Sequence, residues 1–94
     1  MRFPTQYIAT YSINGGEEIR LESPNLHLLD KQVRHIIKGN VDEKGFAEFE
    51  IRRIFSDQER HARNIPDRIH GEIDRHVLYK NGKWKYDKFF RNYY

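Results

Sequence analysis

Asn81-Gly82 constrains this chain more than any other pair of residues. It stands between two alternating segments in HVLYKNGKWKYD, and a two-residue Asn-Gly connection favours the type I′ turn, whose twist matches that of paired antiparallel strands. Counting outward from the turn pairs Lys80 with Lys83, Tyr79 with Trp84, Leu78 with Lys85, Val77 with Tyr86 and His76 with Asp87. One face of this hairpin is aromatic and apolar, and the other carries Leu78, Lys85, His76 and Asp87. Beyond it, Phe89, Phe90, Tyr93 and Tyr94 form an aromatic tail interleaved with Lys88 and Arg91.

The same period-two argument applies at the other end of the chain. Gln6 to Ile13 reads QYIATYSI and sets Tyr7, Ala9, Tyr11 and Ile13 on one strand face. Asn14-Gly15-Gly16 supplies a turn, and Ile19 and Leu21 then alternate with charged neighbours, so a second antiparallel hairpin is expected. Ser23-Pro24 fits a helix start, with serine as cap and proline in the first turn. Leu26, Leu29, Val33, Ile36 and Ile37 follow at helical spacing, and Gly39-Asn40 closes the pattern. Ala47, Phe49 and Ile51 then alternate with Glu48, Glu50 and Arg52 as another half-buried strand. Ser56 and Glu59 match a capping box, which places a second helix start there. Through Pro66, Ile65, Ile69 and Ile73 keep a four-residue spacing, which predicts a bent helical segment with one buried stripe. The expected fold class is therefore α+β: a mostly antiparallel sheet of about five strands, in the order ββαβαββ, with two helices packed on one face.

With 94 residues, residues 1–94 are expected to form a single domain around one core. Residues 88–94 are open to three states: an added strand edge, a docked short helix or a loose tail. A chain of this size buries only about 60 to 65% of its unfolded surface. With 37% hydrophobic and 14% aromatic residues, Tyr, Phe and the lone Trp84 must therefore supply much of the core. No cysteine is present, so neither disulfides nor thiolate metal sites support the fold. No apolar run approaches the roughly 20 residues needed to cross a bilayer, and no secretory signal is visible, so the expectation is a cytoplasmic protein without a membrane partner.

The formal net charge of +3 tilts the partner list toward nucleic acid or an acidic protein surface. In KNGKWKYDKFFRNYY, Lys80, Lys83, Lys85, Lys88 and Arg91 would neutralise phosphates or carboxylates, while rings such as Trp84 would offer stacking platforms. Arg52, Arg53, Arg60 and Arg63, with Arg68 and Arg75, would extend the same field. The bland alternative is that Val77, Tyr79, Trp84 and Tyr86 are core and the lysines only protect an edge strand from pairing.

A second constellation is His61, Asp67, His70, Asp74 and His76. A continuous helix would bring Asp67, His70 and Asp74 onto one face, and His61, His70 or His76 would be the catalytic candidates of a small, metal-independent ribonuclease or toxin-like enzyme. No metal-ligand spacing, phosphate loop or nucleophile elbow is present, so no cofactor is expected. The bland alternative is a charged helix face laced by pairs such as Glu59 with Arg63. His27 and His35 read as packing or surface residues. The leading expectation is a non-catalytic binding module that engages nucleic acid or an acidic partner through its basic, aromatic C-terminal hairpin and tail. A protein-directed regulator or inhibitor, of the kind encoded by phages and mobile elements, is the second.

Overall fold

The computed structural model describes residues 5–86. Five strands, β1 (Gln6–Ile13), β2 (Ile19–Ser23), β3 (Phe46–Ile54), β4 (Gly71–Lys80) and β5 (Lys83–Tyr86), form one sheet in the order β2-β1-β3-β4-β5. Every pairing is antiparallel. Helix α1 (Leu26–Asn40) joins β2 to β3, and the short α2 (Asp57–Ala62) follows β3. The α+β class and the ββαβαββ order expected from the periodicities are what the chain adopts.

Alternation along the strands sorts the sheet into two faces. Ala9 and Tyr11 of β1 lie opposite Ile51 and Phe49 of β3, and Phe49 lies opposite Val77 of β4. These side chains meet Leu29, Val33 and Ile37 of α1 in one buried cluster, with Leu21, Tyr79 and Trp84 packed at its margin. Complete burial of side chains such as Phe49, Leu29 and Ile37 contributes about 1.5 to 3 kcal/mol each. The other face carries the intervening residues, among them Thr10, Ser12, Glu48, Glu50, Arg52, His76 and Leu78.

Both helix starts differ in detail from the sequence expectation. Asn25, not Ser23, caps α1: its Oδ1 accepts the Leu28 N–H at 3.0 Å, while Ser23 Oγ accepts the Asn25 N–H at 3.0 Å. Pro24 stays outside the helix, where its fixed φ costs nothing. In α2, Ser56 Oγ accepts the Glu59 N–H at 3.1 Å, which is half of the expected capping box. The Glu59 carboxylate turns instead toward Arg53 of β3 and Arg63 at the end of α2.

The bent helix expected over Ile65, Ile69 and Ile73 does not form. Asn64 takes a left-handed backbone at φ 53°, the Ile69 N–H donates to the Pro66 carbonyl at 3.0 Å, and β4 begins at Gly71. Pro66 lacks the N–H that a continuing helix needs, and Asn accepts the left-handed region more readily than most residues. Asp67, His70 and Asp74 therefore do not share a helix face.

One irregularity decides a set of charges. Ile51 lies opposite Arg75 but Arg52 lies opposite Ile73, so Asp74 is an extra residue in β4. This bulge puts Glu72, rather than Ile73, opposite Arg53 on the helix-covered face.

Candidate functional site

The β4–β5 hairpin has the register counted from the sequence: Lys80 with Lys83, Tyr79 with Trp84, Leu78 with Lys85 and Val77 with Tyr86. Asn81 and Gly82 have φ of 55° and 72°, the signs that a type I′ turn requires. Because Leu78 and Lys80 are on the face away from α1, their partners Lys85 and Lys83 are there too. Lys80, Lys83 and Lys85 thus share one face at the β5 edge of the sheet, and all three are exposed. None of the three is in an ion pair among the described residues.

The arginines are arranged in the opposite way. Arg53 donates to both Glu59 oxygens, Nη1 to Oε1 at 2.7 Å and Nη2 to Oε2 at 2.9 Å, and its Nε donates to Glu72 at 3.1 Å. Arg63 reaches the same Glu59 at 2.7 Å. Both guanidinium groups also lie over the Phe55 ring, at 4.9 and 5.4 Å from its centroid. Hydrogen bonding from Arg53 holds the Glu59 carboxyl below the usual carboxylate range against the opposing effect of burial, and Arg63 adds to the shift. Reciprocally, the Glu59 hydrogen bond raises the Arg53 pKa, burial opposes it, and Glu72 reinforces the rise. Arg60 meets Asp67 at 3.3 Å and Arg52 meets Glu50 at 2.9 Å. On the helix side, Arg75 and Arg34 both engage Asp30, at 2.8 and 2.6 Å. Arg52, Arg53, Arg60 and Arg63 are therefore bound to carboxylates of the same chain, while Lys80, Lys83 and Lys85 point their charge at water. Lys88, Arg91 and the aromatic tail lie outside the described residues.

Trp84 is half-buried and engaged on several sides. Its ring lies 4.3 Å from Tyr79 and meets Phe49 edge-on at 6.0 Å, and the Arg34 guanidinium sits 4.7 Å from its centroid. Such an aromatic stack with a cation over it is an anchor for β5. Tyr86, 57% exposed, accepts a 2.6 Å hydrogen bond from Arg34 through its hydroxyl.

Between α1 and β5 runs an open groove of about 630 Å³, lined by Leu28, Lys31, Arg34, His35, Lys38 and Trp84 among others. Lys31 and Lys38 are without ion-pair partners among the described residues. These two helix lysines were not singled out as binding residues from the sequence. Their signal was there as the polar positions 31, 35 and 38 of an amphipathic helix, but which neighbour that side would flank depends on the position of β5.

The three candidate histidines occupy three different surroundings. His61 lines a shallow hollow with Asp57, Arg60 and Asp67. His70 is exposed just before β4, and its carbonyl accepts the Phe55 N–H at 2.9 Å. His76 faces Glu48 at 3.3 Å on the open face of the sheet. Among the described residues, no group of three His, Asp or Glu side chains takes up a metal-binding arrangement, and no helix is long and apolar enough to cross a membrane.

These features define a class by architecture: a small α+β domain with a single antiparallel sheet, one helix-covered face and a lysine-bearing edge hairpin. No protein-family model matches the chain, and neither a curated protein nor a solved structure is similar enough to count as a match.

Proposed function

We propose that this protein is a small, non-catalytic binding module of the cytoplasm whose β4–β5 hairpin receives an anionic partner, either nucleic acid or an acidic protein surface. The observation that carries the reading is the division between the two cation types. Arg34, Arg52, Arg53, Arg60, Arg63 and Arg75 hold carboxylates of the chain, and such pairs add little to an external field, whereas Lys80, Lys83 and Lys85 stand together with no ion-pair partner among the described residues. Lysines without a partner attract phosphate or carboxylate and release counterions when they bind it. Lysines on an edge strand also keep unrelated strands away. That protective role needs no anion, so it predicts a different experimental result.

Retention of the protein on an immobilised single-stranded oligonucleotide and on polyglutamate, measured between about 50 and 200 mM salt, tests the proposal. The combined Lys80→Ala, Lys83→Ala and Lys85→Ala variant should bind more weakly, with the logarithmic salt slope on the oligonucleotide reduced by about 2. Retention that is equal for wild type and variant, or independent of salt, contradicts the proposal.

A further inference from the structure

We infer that β5 accepts an additional strand: an extended segment of an acidic partner protein in which carboxylate and apolar side chains alternate. The inference rests on the reading that the lysine face receives an anion, and it specifies what kind of anion the edge is built for.

Three features coincide at β5. First, it is the last strand of the described sheet. In a two-residue hairpin Lys80 and Lys83 form the hydrogen-bonded pair nearest the turn, so Trp84 and Tyr86 fall at the intervening positions and turn their N–H and C=O groups away from β4. Secondly, the two sides of this edge differ in chemistry. Lys80, Lys83 and Lys85 border it on the open face, and the groove floored by Leu28 and Trp84 borders it on the helix face, with Lys31 and Lys38 along the groove. Thirdly, Leu28, an apolar side chain in the lining of that groove, is 57% exposed.

A strand added at this edge sends successive side chains to opposite faces. Residues at one parity would meet the lysines, and residues at the other would enter the groove beside Leu28. An alternating acidic and apolar segment satisfies both sides, and its backbone satisfies the outward amides of Trp84 and Tyr86. Nucleic acid satisfies the charge but finds less to stack on, since Trp84 already has Tyr79 and Arg34 against its ring and the exposed Tyr86 has Arg34 over its own. A second copy of the chain is opposed by charge, because edge-to-edge pairing of β5 with itself would bring the Lys83 and Lys85 rows together.

The test uses the full-length protein and the fluorescence of Trp84, the chain's one tryptophan. The probes are a short peptide alternating Glu and Val, a peptide of equal composition with the two residue types in separate blocks, the alternating peptide N-methylated at every second amide on the edge-facing side, and a single-stranded oligonucleotide of equal charge. The alternating peptide should bind roughly tenfold tighter than the block peptide and the N-methylated peptide, since several backbone hydrogen bonds are at stake. The paired Lys83→Ala and Lys85→Ala variant should lose a similar factor, and so should Leu28→Asp, whose exposed position leaves folding intact. Lys44→Ala, in the turn before β3, should match the wild type. Equal binding of the alternating and block peptides overturns strand addition while leaving the anion-binding reading in place. Tighter binding of the oligonucleotide than of the alternating peptide also overturns it, and so does a Trp84 signal that changes with protein concentration alone. If none of the anionic probes binds, both the inference and the reading beneath it fall.

Discussion

Glu59 is a single carboxylate that decides the availability of two arginines. It is only 3% exposed, yet it is fully ligated by Arg53 and Arg63, with Phe55 beneath both guanidinium groups. A charge this deep is tolerated because each of its oxygens accepts from a cation. Removing it leaves Arg53 with Glu72 alone, so Glu59→Gln should lower the unfolding free energy by about 2 to 3 kcal/mol at pH 7, somewhat less than for a fully buried pair. The pH dependence has a definite sign. The folded-state pKa of Glu59 is depressed, so its contribution is complete above the ordinary glutamate value of about 4.3 and is lost as pH falls through the lower folded value. Urea titrations from pH 7 down to pH 3 should therefore show wild type and Glu59→Gln converging in acid. A difference that stays constant across that range contradicts this account of the cluster.

At the level of elements, the two hairpins were legible from sequence because their turns leave few alternatives. Asn81-Gly82 by itself sets the β4–β5 register, since a one-residue slip would move Tyr79 and Trp84 off the core face. The segment after α2 was not legible, for a reason that lies in arithmetic. A spacing of four is compatible with a helix and is also a multiple of the strand period of two, so Ile65, Ile69 and Ile73 could not report which one applied. The Asp74 bulge left no mark at all, because it follows from how β3 and β4 fit together. Two glycines show how position decides the sign of a substitution. Gly82 has φ +72° and open space around its missing Cβ, so Gly82→Ala carries only the backbone cost of the left-handed region, a loss of about 1 kcal/mol. Gly39 lies in α1 with nothing within 4 Å of a Cβ, and Gly39→Ala should raise stability by about 0.5 to 1 kcal/mol. Thermal unfolding of the two variants should move in opposite directions, and a shared direction would refute the assignment of at least one backbone conformation.

Across the whole molecule, the net charge of +3 conceals a separation that composition does not reveal. Arg53, Glu59, Arg63 and Glu72 neutralise one another at the junction of β3, α2 and β4, and Arg34 and Arg75 are balanced by Asp30 and Asp74 between α1 and β4. Lys80, Lys83 and Lys85 of the hairpin and Lys31 and Lys38 of α1, without ion-pair partners among the described residues, flank β5 on its two sides. Sequence reading found Lys80, Lys83 and Lys85 because the turn fixes their face. The four-residue spacing on α2 already offered Glu59 to Arg63, but Arg52, Arg53 and Arg60 were grouped with the lysines because the carboxylates that bind them, Glu50, Glu59, Glu72 and Asp67, come together only in the folded arrangement. The expected stacking role of Trp84 changes for the same reason: its neighbours Phe49 and Arg34 come from β3 and α1. The β5 edge, and not the arginine-rich end, is therefore the surface proposed to meet an anion. Backbone amide chemical shifts recorded while polyglutamate is added to the full-length protein test this most directly. The predicted result is a saturable, salt-sensitive set of shifts over Lys80 to Tyr86 and Lys31 to Lys38, with Arg53, Arg60 and Arg63 unmoved. Shifts concentrated at those three arginines with the hairpin silent would contradict it.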